Sequence, residues 1–276
     1  MNDHPLHLDV RNDGLALLTI HGSGTGNALG GSFWDGLRDT MQDLSTRRDV
    51  RTIAVTGAGS SFSVGMDLRW YIVRLRRAMR SQATGFMEED VRRLQNAIDT
   101  VADCPKPVIA LVNGECTGAA LELISACDIR YATGEAFFAL PEVQLGVVAD
   151  LGGLQRLPQL INQGHLRELA FSGRALNAER AARIGLVNEV FPDATALLQA
   201  AENFNRTVSR HPEHVLEGIK QNLDDVHRTA LTRGLDHAVR WNSHHIQTPE
   251  LANAMAARLH QSTATAHREP VAGPSV

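Results

Sequence analysis

The chain has 276 residues, with 27 lysines and arginines against 31 aspartates and glutamates, a net charge of −4 and a pI near 6.3. That length supports a large core and one or two domains. The acidic balance argues against a nucleic-acid binder driven by backbone charge, and no stretch reaches the ~18 apolar residues of a membrane span.

Leu6–Val10 and Leu15–Ile20 flank Asn12-Asp13-Gly14, a strand–turn–strand pattern. Phe33, Trp34, Leu37, Met41 and Leu44 recur at helical spacing, with Ser32 as the expected N-cap. Thr52–Thr56 reads as a short buried strand running into Gly57-Ala58-Gly59-Ser60-Ser61. A long helical region follows in two parts around Gly85; the second carries Met87, Val91, Leu94, Ile98 and Val101 on one stripe. Its basic residues, Arg69, Arg74, Arg76, Arg77 and Arg80, are expected on a solvated helix face.

After Pro105-Lys106-Pro107, Val108–Val112 is another buried strand, and Asn113–Gly118 leads into a helix carrying Glu122. Asp128–Ala132 and Ala136–Leu140 read as strands. Asn177 caps a helix that stops near Gly185, and Leu186–Val190 returns to strand. From about residue 195 the pattern is helical. The expected division is a core over 1–195, a helical region over 196–260 and a disordered tail over 261–276. Strands alternating with helices, then a helical tail, make this an α/β chain.

Cys104, Cys116 and Cys127 show no CxxC or zinc-type spacing, and the twelve histidines form no HExxH or similar pattern, so no metal is expected. Met1–Pro5 lacks a leader's basic and apolar regions, and Pro274-Ser275-Val276 is not a targeting signal. A reducing, cytoplasmic location is the expectation.

Three carboxylates stand out. Glu122 lies within Ala119-Ala120-Leu121-Glu122-Leu123-Ile124, Glu142 follows Phe137-Phe138-Ala139-Leu140-Pro141, and Asp150 sits between Val147-Val148-Ala149 and Leu151-Gly152-Gly153. A carboxylate in an apolar setting must be paired, protonated or working. Close together, such groups have their pKa values pushed apart, giving an acid and a base near neutral pH. Each also has a plainer explanation: Asp150 as a turn cap, Glu122 as the ion-pair partner of Arg130 or Arg156, Glu142 as a first-turn acid after Pro141.

The ordered stretches Gly57–Leu68, Lys106–Gly114, Cys127–Arg130 and Gly152–Pro158 resemble those of the crotonase, or enoyl-CoA hydratase/isomerase, superfamily over roughly residues 6 to 260. The resemblance implies a spiral of β-β-α units with a C-terminal helical trimerisation region. It further implies a homotrimer or dimer of trimers and an acyl-CoA thioester substrate whose coenzyme A is the only cofactor-like group. The Met66 and Ala119 N–H groups would form an oxyanion hole for the thioester enolate, with Ser63, Gly65, Asp67, Leu68 and Gly118 around the substrate. Asp67 is also expected to fix the turn that presents the Met66 N–H.

Glu122 and Glu142 match the two glutamates of the family's hydratases. Asp150 stands where dienoyl-CoA isomerases of the family carry an acid and hydratases commonly have glycine. Ala149–Gly152, Leu154–Pro158, Trp241-Asn242-Ser243 and the segment from Trp70 to Gly85 lean the same way. The resemblance therefore favours isomerisation of a 3,5-dienoyl-CoA to a 2,4-dienoyl-CoA, in fatty-acid β-oxidation chemistry, with Asp150 and Glu142 handling the C2 proton and Glu122 returning one at the far end. The alternatives are a 2-enoyl-CoA hydratase using Glu122 and Glu142, a non-catalytic acyl-CoA-binding member, and an RNA-binding member.

Three positions depart from the family's pattern. Glu122 replaces the isomerases' usual aspartate. Ala119 replaces glycine. Gly24-Thr25-Gly26 precede Asn27-Ala28-Leu29 where a basic residue is usual, with Lys220 a candidate phosphate contact instead. The helical segment from Trp70 to Met87 is expected to line the acyl tunnel.

Overall fold

The computed structural model describes residues 5–24, 26–81, 86–246 and 248–266. In chain order the strands are β1 (Leu6–Val10), β2 (Leu15–Ile20), β3 (Thr52–Gly57), β4 (Val108–Val112), β5 (Glu115–Thr117), β6 (Ile129–Thr133), β7 (Phe137–Ala139), β8 (Leu176–Asn177) and β9 (Glu189–Phe191). The helices are α1 (Gly31–Thr46), α2 (Leu68–Ser81), α3 (Phe86–Ala102), α4 (Ala119–Ile124), α5 (Gly153–Arg156), α6 (Gln163–Ser172), α7 (Ala178–Arg183), α8 (Ala194–Val208), α9 (Glu213–His245) and α10 (Thr248–Ala266). A 3₁₀ turn, Pro141–Leu145, follows β7.

Two sheets organise the core. The larger runs β1-β2-β3-β4-β6-β9, parallel except for the β1–β2 hairpin, and the smaller runs β5-β7-β8. Successive strands are dealt alternately: β4 and β6 go to the large sheet, β5 and β7 to the small one, each pair leading into helical structure. The result is the expected spiral of β-β-α units. A central strand covered on both faces must be apolar throughout, and β4, Val-Ile-Ala-Leu-Val, is buried at every position.

Two loops receive side-chain braces. The Asn113 side chain bonds Gly57 N and O and Gly59 O, and the Asn27 amide donates to Ala58 O and Ser61 O at 2.8 Å each. Together they hold the glycine-rich turn after β3 in one shape. At the end of α1, the Lys106 ammonium donates to Leu44 O (2.6 Å) and to Arg47 O.

Several expectations need correction. α1 is preceded by Gly30 without a side-chain cap bond, so Ser32 lies inside the helix. β9 begins at Glu189, because Leu186–Asn188 form the turn that follows α7. α10 continues through Ala266, past the expected start of a disordered tail; residues 267–276 lie outside the described residues. So do Gly85 and the Met87 side chain, while Val91, Leu94, Ile98 and Val101 of the same stripe are buried. Among the described residues no helix is long and apolar enough to cross a membrane.

α2 and α10 form a small cluster of their own, with Ile72 and Leu75 packed on Leu251 and Met255. It lies beside the 3₁₀ turn and α4, and the space between them is a cavity.

Candidate active site

A cavity of about 560 Å³ opens between the turn after β3, α4, the 3₁₀ turn, α2 and α10. Glu122, Glu142 and Asp150 all line it, together with Met66, Leu68, Gly118 and Ala119. Tyr71, Val91, Leu94 and Leu151 also line it.

Glu122 sits on α4, 2% exposed. Its Oε2 accepts from Leu151 N at 3.0 Å and Gly153 N at 2.8 Å. Neither expected arginine reaches it: Arg130 donates to Leu186 O and Cys127 O, and Arg156 pairs with Asp99. Burial, then the charges of Glu142 and Asp150, push its pKa well above the usual range against the opposing pull of the two backbone donors. With Oε2 occupied as an acceptor, Oε1 is the oxygen left to carry a proton.

Glu142 stands in the first turn after Pro141, and its Oε2 is buried with no hydrogen-bond partner. Its pKa is pushed up to about 7, chiefly by burial and further by Asp150, while Arg258 of α10 pulls it down. A Cβ on Gly118 would lie 3.1 Å from Glu142 Oε1, and Gly118 has φ +56°. Glycine there keeps the backbone turn and the carboxylate compatible.

Asp150 caps no turn through its side chain. Its Oδ2 accepts from the Asn242 amide of α9 at 2.6 Å. Burial raises its pKa to about 6, and the Asn242 bond restrains the rise. All three carboxylates are thus shifted upward, Asp150 to about 6, Glu142 to about 7 and Glu122 well above its usual range. Tyr71 shares this end of the cavity, its phenol pushed up by burial and by the Asp150 charge.

Two backbone groups face the same space. Among the described residues neither Met66 N–H nor Ala119 N–H donates a hydrogen bond. Their segments are pressed together at Gly65, φ +87°, where a Cβ would fall 2.4 Å from Thr117 O and 3.2 Å from Ala119 N. Met66 is held on its other side by a parallel bridge, Leu29 N to Gly65 O and Asp67 N to Leu29 O.

The remaining expected residues divide. Leu68 and Gly118 line the cavity. Asp67 also reaches its wall, but its carboxylate caps α2, accepting from Arg69 N, Trp70 N and the Ser23 hydroxyl. Ser63 and Gly65 do not reach the wall: Ser63 is fully buried, its hydroxyl donating to Asn27 O and accepting from Gly65 N. They shape the loop from behind. Lys220 is bonded to Asp128 at 2.9 Å and does not line the cavity. Ser23, Gly24 and Gly26 line the wall beside Ala28; Thr25 lies outside the described residues. Of the segment from Trp70 to Met87, Tyr71 lines the cavity and residues 82–85 lie outside the described residues.

Arg258 is a cavity group that motif reading did not pick out, while Asn242 falls in the Trp241-Asn242-Ser243 stretch and Tyr71 in the segment expected to line the acyl tunnel. Among the described residues no cluster of three or more His, Cys, Asp or Glu is placed to hold a metal ion. The three cysteines are buried free thiols.

The chemistry available here is proton transfer. Three carboxylates with raised pKa values flank a cavity at which two unengaged N–H groups are available to an oxyanion.

Comparison with known proteins agrees. A model described as enoyl-CoA hydratase/isomerase matches residues 10–263. The mitochondrial Delta(3,5)-Delta(2,4)-dienoyl-CoA isomerase of Mus musculus is 36% identical over 237 residues, 84% of this chain and 72% of that protein. The peroxisomal Delta(3,5)-Delta(2,4)-dienoyl-CoA isomerase of Arabidopsis thaliana is 33% identical over 237 residues, 84% of this chain and 85% of that one. Among solved structures, an enoyl-CoA hydratase/isomerase from Mycobacterium paratuberculosis superposes with a TM-score of 0.82 at 26% identity, covering 92% of this chain and 98% of that one.

Proposed function

The chain belongs to the enoyl-CoA hydratase/isomerase family, and within it we propose that it converts a 3,5-dienoyl-CoA to the 2,4-dienoyl-CoA. The observation that carries this reading is the convergence of three buried carboxylates on one cavity, Asp150 shifted up to about 6, Glu142 to about 7 and Glu122 well above its usual range. The relatives with dienoyl-CoA isomerase names support it.

In the proposed reaction, Asp150 takes a proton from C2 of the bound thioester. The electron pair spreads over the thioester oxygen and the two double bonds, giving a conjugated enolate. Met66 N–H and Ala119 N–H receive the charge on oxygen, and losing one such donor typically costs ~3 kcal/mol of transition-state stabilisation. Glu122 then donates its proton at C6, and the double bonds settle at C2 and C4. One proton leaves and one enters. Transfer of the Asp150 proton back to Glu122, directly or through solvent, closes the cycle. Glu142 tunes the pair, since adjacent carboxylates cannot all ionise easily. This chemistry calls for no metal or redox group, and coenzyme A arrives as part of the substrate.

Hydration of a 2-enoyl-CoA is the second reading. The unpartnered Glu142 Oε2 favours it, because that oxygen could hold a water against Glu122. The two are separated by supplying a 3,5-dienoyl-CoA and following the near-ultraviolet spectrum. Growth of the conjugated diene band, lost in Asp150→Asn, supports the isomerase. No change, with conjugated absorbance lost from a 2-enoyl-CoA, supports the hydratase.

The proposed assembly is a homotrimer or dimer of trimers. Its support is the apolar row on α9: Val215, Ile219, Leu223 and Val226, from 43% to 76% exposed at helical spacing. Sedimentation at two protein concentrations tests it; a monomer at both removes the proposal.

A further inference from the structure

Asn242 lies on α9, 92 residues along the chain from Asp150, yet it is 4% exposed and its amide is fully engaged. Its Oδ1 accepts from Val148 N at 3.3 Å. Its Nδ2 donates to Val148 O at 2.8 Å and to Asp150 Oδ2 at 2.6 Å. The contacts with Val148 settle which end of the amide faces which partner: oxygen to the peptide N–H, nitrogen to the peptide carbonyl and to Asp150. An amide NH2 can only donate. It therefore cannot accept a proton carried on Asp150 Oδ2, and any proton Asp150 picks up belongs on Oδ1. The backbone of Asp150 is pinned as well, by Gln95 Nε2 donating to Asp150 O at 2.6 Å.

We propose that Asn242 is the positioning residue that makes Asp150 a base and selects Oδ1 as the oxygen that exchanges the substrate proton. This rests on the reading of Asp150 as the base. The titratable groups facing Asp150 are Glu122 from α4, Glu142 from the 3₁₀ turn and Tyr71 from α2, and none of them is a cation. Two cations act at one remove, Arg258 of α10 on Glu142 and Arg74 of α2 on Tyr71. Asn242 is thus the side chain that holds Asp150 ionised among neighbours that would protonate it, and the bond it donates opposes the rise that burial causes.

The test is kcat/KM for a 3,5-dienoyl-CoA, measured from acid to alkaline pH for the wild type, Asn242→Leu, Asn242→Ser, Asp150→Asn and the double variant Asp150→Asn/Asn242→Leu. Loss of a hydrogen bond to a charged group should move the acidic limb upward by about one pH unit or more, with KM little changed. In the Asp150→Asn background, Asn242→Leu should move nothing further. A merely structural role would lower activity at every pH and leave the limb in place. Should the leucine variant fail to fold, the smaller serine variant gives the same readout. An unmoved limb in a folded Asn242 variant, with Asp150→Asn inactive, overturns the positioning role and leaves the base assignment standing. Full activity in Asp150→Asn overturns the base assignment itself.

Discussion

Buried charged groups in this molecule fall into two populations, and their surroundings differ in kind. Lys106, Arg130 and Arg156 are at most 9% exposed, and each is matched to its partners. Lys106 closes the carbonyls at the end of α1, Arg130 ties Leu186 O to Cys127 O, and Arg156 meets Asp99. The carboxylates of the cavity are under-supplied. Glu122 has two backbone donors for one oxygen, Asp150 has one amide, and Glu142 keeps an oxygen with no partner. Burial costs both populations desolvation and lowers the Lys106 and Arg130 pKa values too, but each of those cations is met by partners within the protein. The shortfall at the cavity appears as raised pKa values, and those are what make proton transfer possible near neutral pH. A folded chain leaves charge unsatisfied where a ligand is meant to complete it.

The sharpest way to break this contrast is to exchange the members of each population for uncharged ones. Asp150→Asn should cut kcat about a hundredfold to ten-thousandfold while the protein stays folded, by circular dichroism and thermal melting. Glu122→Gln should cost a similar or smaller factor, since it removes the proton donor but keeps the acceptor for Leu151 and Gly153 N–H. Arg130→Met should do the reverse. It strands two buried carbonyls and should lower stability by about 2–5 kcal/mol, read by denaturant titration, while the folded fraction keeps its turnover.

Gly65→Ala tests the frame rather than the charges. A Cβ there meets Thr117 O at 2.4 Å on a backbone at φ +87°, so the segments carrying the Met66 and Ala119 N–H groups must move apart. The expected result is a loss of kcat with some loss of stability, on the order of 1–3 kcal/mol by thermal melting.

The smallest effect sharpens the electrostatics. Glu142 has a folded-state pKa of about 7 against an ordinary value of 4.5. A carboxyl whose pKa is raised by folding favours the folded state while protonated. That contribution is complete below about pH 4.5 and is lost as pH climbs to about 7. Glu142→Gln should therefore melt progressively higher relative to wild type as pH rises across this window. A constant difference would mean that Glu142 is better solvated than its geometry indicates.

Much of this was legible in the amino-acid order. The strands of the large sheet declared themselves as short apolar runs, and Glu122, Glu142 and Asp150 did so by being acids in apolar company. What escaped reading did so for physical reasons. The stretch holding Asn242 stood out only by resemblance, because it lies on a mostly exposed helix and its bond to Asp150 spans 92 residues, so nothing local shows what it touches. α5 and β8 are four and two residues long, too short to show a period. Ser63 lies within a motif that also lines the substrate space, and its full burial behind the loop depends on the Asn27 and Glu115 backbones that meet it there.

The central claim is that a proton leaves C2 at Asp150 and another enters at C6 from Glu122. Running the reaction on a 3,5-dienoyl-CoA in deuterated water and locating the label in the product by NMR tests it directly. The account predicts deuterium at C6 of a 2,4-dienoyl-CoA, with no label transferred by Asp150→Asn. A product bearing a new hydroxyl at C3, or a 2,4-diene still formed at full rate by Asp150→Asn, would contradict it.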